Sequence, residues 1–455
     1  MDSERDDSVK RFALIMAALA SFLTPFIGSS VNIALPSIAE EFEIDAIILG
    51  WIPTSYLLTS AILLLPFGRV ADIFGRKIIF TYGILIYTVA SLFCGLSTSG
   101  TTLIVFRIFQ GVGSAMIFGN AVAILTSVFP PEERGKALGI NIAGISLGLT
   151  LGPFLGGVMT HYIGWRSIFL FNVPIGIIII AAILKVKGEW AEARGEKFDL
   201  TGTFLFSTSL ILLIYGFSSL PERFALLLSA SGLLLLILFV AFERKTEQPI
   251  LNIEIFKNRT FAVNNLAALT SYMPSISVVF LMSLYLQYIM GLNPSESGAI
   301  LLSLPLFITI FSPVAGKLSD VVEERFISSS GLVLMSVSLF LLSGKDLVVL
   351  QIAAILSALG IGMAFFAAPN TKIVMGAVGS RFYGVASATL STMRVLGQML
   401  GMGVAMLFIS ISVGKTQLNP SNYAQFTKSI ELTFTLFAIF CLIGAVASIL
   451  KFHDL

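Results

Sequence analysis

Long apolar runs separated by short polar segments set the pattern of this 455-residue chain. A helix that crosses the hydrocarbon core of a bilayer needs roughly 17–25 mainly apolar residues. Runs of about that length lie near 12–35, 48–67, 78–97, 102–127, 137–161, 166–184, 201–218, 224–242, 261–288, 297–315, 327–343, 347–371, 384–412 and 431–450. They predict fourteen membrane-spanning helices, with 201–218 and 327–343 the shortest. Met1 to Arg11 is polar and mixed in charge, and the run that follows has full span length without a clear small-residue cleavage site. It is expected to be a first span and not a cleaved signal peptide.

Charge orients the spans. Cytoplasmic loops of membrane proteins carry an excess of Lys and Arg. With a cytoplasmic N-terminus, the inward segments hold 21 of the 28 basic residues. The outward loops hold five, Arg166, Arg223, Lys345, Lys415 and Lys428, and the remaining two, Arg107 and Arg394, fall inside spans. One span more or fewer would invert every later loop and erase this bias. The expectation is a multi-pass protein of the plasma membrane with both termini in the cytoplasm.

Composition agrees: 56% of the residues are hydrophobic, 12% are charged, and mean hydropathy is +0.94, against about 25% charged in soluble domains. The lipid bilayer is the main partner. A net charge of +2 with no long basic tract argues against nucleic acid. Cys94 and Cys441 are far apart and the only histidines are His161 and His453, so no disulfide framework, metal site or cofactor is indicated. No loop exceeds about 20 residues and no nucleophile–base pair is visible, which argues against an enzyme.

The chain also resembles itself. Gly68-Arg-Val-Ala-Asp72 matches Gly316-Lys-Leu-Ser-Asp320 at an offset of 248, and Gly111 and Gly113 match Gly360 and Gly362 at 249. Gly135, Ala137, Gly148 and Gly152 match Gly384, Ala386, Gly397 and Gly401, again at 249. An offset longer than half the chain implies two six-span bundles separated by two additional spans. The expected architecture is an all-α membrane protein, 6 + 2 + 6, with two pseudo-symmetric bundles. Residues 1–188 form the first bundle, 189–256 the two added spans with their flanking loops, and 257–455 the second bundle. Two such repeats suit alternating access in a secondary carrier.

Gly68-Arg-Val-Ala-Asp-Ile-Phe-Gly-Arg-Lys77 resembles the loop between spans 2 and 3 of the major facilitator superfamily. Glycines there allow a tight turn and close helix approach. The resemblance implies a cytoplasmic gate of Gly68, Asp72, Gly75, Arg76, Lys77 and Arg134, with Asp320 as the repeat counterpart of Asp72. In the family the equivalent Asp grips the partner half near the helix that follows Arg381, where a helix N-terminus favours an anion. Arg107-Ile-Phe-Gln110-Gly-Val-Gly113-Ser-Ala115 resembles the superfamily's span 4 signature. Gly148-Leu-Thr-Leu-Gly152-Pro153-Phe-Leu-Gly156-Gly157 resembles the span 5 signature associated with antiporters, in which small residues let helix backbones meet. Val31-Asn32-Ile-Ala-Leu35-Pro36, the stretch from Trp165 to Gly176, Phe198-Asp199-Leu-Thr-Gly202 and the stretch from Pro249 to Phe261 resemble the fourteen-span drug:proton antiporters.

One departure bears on mechanism. Members of that family usually carry an Asp five residues before the Asn of the Val-Asn-x-Ala-Leu-Pro stretch, and here that position is Ile27. No other span carries a carboxylate in its middle; Glu431, for one, falls at a span end. Arg107 and Arg394 are the in-membrane charges, candidates for a coupling or cavity role. Arg107 could reach outward to Glu40 or Glu41, bond backbone carbonyls, or meet an anionic substrate. The expected substrate cavity is apolar with a few polar groups: Asn32, Gln110, Asn120, Asn141, Asn264, Asn265, Tyr272, Tyr285, Gln287, Asn370 and Gln398. The expectation is a monomeric secondary transporter that exports amphiphilic small molecules by alternating access with protons as counter-ion. The alternative is a uniporter or anion transporter without conventional proton coupling. A channel fits the repeat less well.

Overall fold

A computed structural model describes residues 2–449 except 187, 192, 197, 247–248, 252, 345–346 and 380–382. Arg381, Lys187, Lys197, Lys345, Asp346 and His453 therefore lie outside the described residues. The described chain is helical, and it contains fourteen helices long and apolar enough to cross a membrane. They are α1 (Asp2–Phe42), α2 (Ala46–Phe74), α3 (Arg76–Gly95), α4 (Gly100–Val128), α5 (Pro131–Tyr162), α6 (Arg166–Lys185) and α7 (Leu200–Ser219). There follow α8 (Arg223–Glu243), α9 (Arg259–Ile289), α10 (Pro294–Leu318), α11 (Glu324–Leu342), α12 (Val349–Gly376), α13 (Tyr383–Ser412) and α14 (Tyr423–Ile449).

Local chemistry starts and stops these helices. Ser99 and Thr102 form a capping box at α4, and Asn293 and Glu296 form another at α10. Asn258 accepts from Phe261 N at α9, and Asp199 Oδ1 accepts from Gly202 N at α7. Gly75, at φ 122°, makes the turn between α2 and α3. The last turn of α9, Tyr285–Ile289, widens to a π-helix.

Several helices outrun their apolar stretches. α2 continues to Phe74, so Gly68 to Asp72 are helical and only Gly75 is the turn. α14 begins at Tyr423, which carries Glu431 about two turns into the helix. Hydropathy marks only the apolar part of a span, whereas backbone hydrogen bonding continues through its polar ends.

The chain divides into two compact units, residues 1–44 with 48–207 and residues 45–47 with 208–455. Each unit repeats the same backbone crossings at the offset read from the sequence. In the first, a Cβ on Gly111 would meet Tyr56 O at 2.7 Å and Thr59 at 2.8 Å; in the second, one on Gly360 would meet Leu304 O and Phe307. Gly113 lies against Gly83 O, as Gly362 lies against Gly331 O. Gly148 and Gly152 press on Phe22 O, Phe26 O and Ser29 of α1, as Gly397 and Gly401 press on Leu269 O and Met273 O of α9. Without hydrophobic drive between helices in lipid, such close approach is what holds them together.

The second unit also holds most of the two added spans. Gly232 of α8 packs on Leu213 N and Ser209 O of α7, and Gly403 of α13 packs on Ile214 and Phe217. Ser410 Oγ donates to Leu220 O, and Lys415 Nζ pairs with Glu222 Oε1 at 2.7 Å.

Candidate functional site

At the α2–α3 turn, Asp72 Oδ1 accepts from Arg76 Nε and Nη2, both at 2.9 Å. A segment after α6 covers the turn. Glu189 Oε1 accepts from Lys77 N at 2.9 Å and its Oε2 from Ile78 N at 3.1 Å, which puts a carboxylate on the first turn of α3. Arg76 N donates to Trp190 O, Ala193 N to Asp72 O, and Lys77 Nζ to Val186 O at 2.6 Å. Arg69 pairs with Glu196. A Cβ on Gly75 would strike the Glu189 side chain, so this glycine serves both the turn and the cover. Gly68 behaves differently from its expected close-approach role: nothing lies within 4 Å of where its Cβ would be. Arg134 Nε donates to Phe129 O at the end of α4.

The corresponding turn of the second unit is wired otherwise. Lys372 Nζ meets Asp320 Oδ1 at 3.1 Å, Glu324 Oε1 at 3.0 Å and Ser319 O at 2.6 Å. Glu324 occupies the repeat position of Arg76 at offset 248, so an acidic pair bridged by a lysine replaces the internal ion pair.

On α5, the face of Gly148, Gly152 and Gly156 lies on α1; a Cβ on Gly156 would meet Ser30 Cβ at 2.5 Å. Pro153 is inside the helix, followed by the buried Gly157.

Arg107 lies about 10 Å along α4 from its start, by the helical rise, and is 1% exposed. It does not reach Glu40 or Glu41. Glu41 is taken by Arg166, through Nη1 and Nη2 each at 2.6 Å, and by Trp165 Nε1 at 2.7 Å. Arg107 Nε instead donates to Ile52 O at 3.2 Å, Nη1 to Gln110 Oε1 at 2.5 Å, and its guanidinium sits 4.2 Å from the Tyr56 ring centroid. Gln110 Nε2 passes the network to Ser91 Oγ at 2.7 Å, and Tyr56 and Ser114 hydroxyls bond at 2.9 Å. The result is a fully enclosed clamp of α2, α3 and α4.

Arg394 differs. It is half-buried on α13, with Nη2 donating to Thr371 Oγ1 at 2.7 Å and the guanidinium 5.4 Å from the Tyr272 ring centroid. Its Nε is buried without a hydrogen-bond partner. Beside Thr371, Asn370 is 1% exposed, and neither of its amide atoms is bonded. Gln398 is half-buried one turn further along α13.

The remaining amides divide by unit. Asn141 Oδ1 accepts from Ser21 Oγ at 2.6 Å and ties α5 to α1. Asn32 and Asn120 in the first unit and Asn264 and Asn265 in the second each give Nδ2 to the carbonyl four residues earlier. Such back-bonds consume one end of the amide locally; the Oδ1 atoms of Asn264 and Asn265 are buried and unbonded. Gln287 Nε2 bonds Ser283 Oγ at 3.0 Å near the π-turn that also holds Tyr285. Ile27, the position of the family's acid, is fully buried. Among the described residues, every carboxylate on a membrane helix lies within about two turns of a helix end.

The family model described as Major Facilitator Superfamily matches residues 17–243 and 265–454. The chain belongs to the Major Facilitator Superfamily. It is 30% identical over 445 residues to the riboflavin transporter RibZ of Clostridioides difficile strain 630, covering 97% of each chain. It is 30% identical to the multidrug resistance protein Stp of Mycobacterium tuberculosis CDC 1551 / Oshkosh, covering 86% of this chain and 74% of that one. Its fold matches the crystal structure of a bacterial homolog of the human lysosomal transporter Spinster, with TM-score 0.70 and 17% identity, over 97% of this chain and 96% of that one. With fourteen spans and relatives of this kind it is a multi-pass secondary transporter resembling the fourteen-span drug antiporters, and not an enzyme.

For a superfamily member, several residues near these sites carry no sequence signal. Thr371 and Tyr56 are ordinary span residues until tertiary contact gives each an arginine, and Ser91 until it meets Gln110. Glu189 and Trp190 read as loop. Glu243, 2% exposed at the end of α8, accepts from Leu251 N, although in the sequence it looks like a plain span terminus.

Proposed function

We propose that this carrier exports amphiphilic small molecules across the plasma membrane by alternating access of its two six-span bundles, with protons as the counter-ion. The supporting observation is the α5 glycine face seated on α1, because its sequence is the antiporter-associated one. Its packing ties two helices of one bundle so closely that they move as a body. The relatives named for multidrug resistance and riboflavin transport support small-molecule cargo. The excess of basic residues on the N-terminal side supports cytoplasmic termini. The Asp72–Arg76 pair, with Gly68, Gly75, Lys77, Arg134 and Asp320, is the proposed cytoplasmic gate, and Glu189 is its brace.

A second reading is favoured by one observation: the family's span 1 acid is replaced by a buried Ile27, while Arg394 remains half-exposed in the second unit. A monoanionic cargo would leave the cell with the membrane potential, worth about 2.3 kcal/mol per charge per 100 mV, and needs no proton-carrying carboxylate. Proteoliposomes with clamped pH and potential separate the two. Proton antiport requires substrate-evoked alkalinisation of the compartment from which protons leave. Substrate flux that follows the potential at equal pH on both sides, with no proton movement, would replace it by the second reading.

A further inference from the structure

We propose that the second unit contains an oxyanion-recognition site made by Arg394, Thr371, Asn370 and Tyr272, and that the transported molecules present a carboxylate or similar oxyanion to it. This rests on the reading of the protein as an exporter of amphiphilic compounds. It specifies the chemistry at the polar end of the cargo.

The membrane cations differ in what they already hold. Arg107 has a carbonyl, an amide oxygen and an aromatic face, and is closed off from solvent. Lys372, next to Thr371 on α12, has two carboxylates and a carbonyl. Arg394 has one neutral hydroxyl, whose own proton is committed to Ala367 O at 2.7 Å. A guanidinium carries five N–H donors in a planar fork, so Arg394 retains most of its hydrogen-bonding capacity.

Three features give that capacity a direction. The Thr371 bond fixes one end of the fork, and the Tyr272 ring lies near the guanidinium. The Nε edge is buried without a partner. Asn370, the residue before Thr371 in the chain, is almost completely buried with its donor and acceptor unused, a costly arrangement in a membrane protein unless something pairs with it in the working cycle. Arg394 lies about 17 Å along α13 from its start, roughly half a hydrocarbon core. Its side chain runs back to Thr371, five residues before the end of α12. The repeat adds a contrast, because the position equivalent to Arg394 at offset 249 is Ile145. The charge belongs to one unit only and is not a requirement of the shared scaffold. A planar carboxylate is the group that a guanidinium fork binds with two parallel bonds.

The test uses a matched aromatic pair, pyrenebutyrate and pyrenemethylammonium, with protein in neutral-lipid nanodiscs for binding and in proteoliposomes for transport. Wild type should bind the carboxylate at least about tenfold more tightly than the ammonium. Arg394→Gln should remove that preference with unchanged or improved binding of the cation, and Arg394→Lys should recover part of it. Thr371→Val, which frees one end of the fork, should weaken the carboxylate alone. Equal affinity of wild type for both probes, or a uniform loss for both in a monodisperse Arg394→Gln protein, would overturn the proposal. So would displacement of pyrenebutyrate by added phosphatidylglycerol, which would identify a lipid headgroup as the oxyanion. Transport of the ammonium but not the carboxylate would leave the export reading standing and defeat only the oxyanion site. Transport of neither would defeat both.

Discussion

The two units share a scaffold and differ in where they keep charge. In the first, the cation is on α4, enclosed, and bonded to Ile52 O and Gln110. The repeat positions of Arg107 and Gln110 in the second unit are Leu356 and Leu359, both fully buried. In the second unit the cation is on α13, half-exposed, with a single side-chain hydrogen bond. The same crossing of helices therefore tolerates either a polar clamp or an apolar layer. Arg107 is a choice of the first unit, and Arg394 is a choice of the second. A buried clamp commits its bonds to its own helices, whereas a half-open one keeps them for something that arrives.

The largest effect should come from breaking the clamp. Arg107→Leu leaves Gln110 Oε1 and the Ile52 carbonyl without their partner and should destabilise the protein by about 1–3 kcal/mol for each of these two buried acceptors, read as a lower thermal midpoint in detergent. The double change Arg107→Leu with Gln110→Leu copies the second unit and should recover most of that loss. If it is no more stable than the single variant, the two units are not equivalent here.

Next come the glycine crossings. Gly152→Ala and Gly401→Ala force a Cβ onto α1 and α9 respectively and should each cost about 1–3 kcal/mol. Gly68→Ala, with open space around it, should be neutral or slightly stabilising by the same thermal measurement. A large loss at Gly68 would revive the close-approach role expected from its motif.

Smaller effects distinguish the two turns. Asp72→Asn removes the anion that Arg76 holds, while Asp320→Asn leaves Lys372 with Glu324 and Ser319 O. Both pairs are partly exposed, so stability should change by no more than about 0.2–1 kcal/mol. Transport should fall more for Asp72→Asn, and cysteine accessibility around the turn should rise. Equal transport by the two variants would show that the turns do the same work.

The smallest effect concerns the Lys415–Glu222 pair in the second unit. The hydrogen bond from Lys415 to Glu222 raises the lysine above its ordinary value of 10.5. Its contribution is therefore complete below that value and is lost as pH rises through the raised one. Lys415→Met should flatten any fall in thermal midpoint above about pH 10.5 and change nothing near neutrality.

Much of this was legible in the residues. Fourteen spans follow from run length, because lipid demands a helix of fixed reach and tolerates few charges along it. The repeat at 248–249 is visible in Gly68, Gly111, Gly148 and their partners. The glycine crossings explain it at Gly111, Gly148 and their partners, since a backbone contact admits no side chain on either copy, but not at Gly68 and Gly316, which have open space around them. The roles of the arginines were not legible. Arg107 and Arg394 look alike as lone cations in apolar runs, and the amides look like a cavity lining. The first arginine is closed by Ile52, Tyr56 and Gln110, residues brought together from α2 and α4. The second is left with Thr371 from α12 and the ring of Tyr272 from α9.

Sequence by itself determined the number of helices, the membrane as solvent and the repeat, because these depend on local composition and spacing. Tertiary structure decided which charge is satisfied and which is available, because the deciding partners, Ile52 O for Arg107 and Thr371 for Arg394, come from other helices. The same holds for the motif at Gly68 to Lys77. Its residues mark the turn, but only folding brings Glu189, 112 positions after Lys77, onto the start of α3.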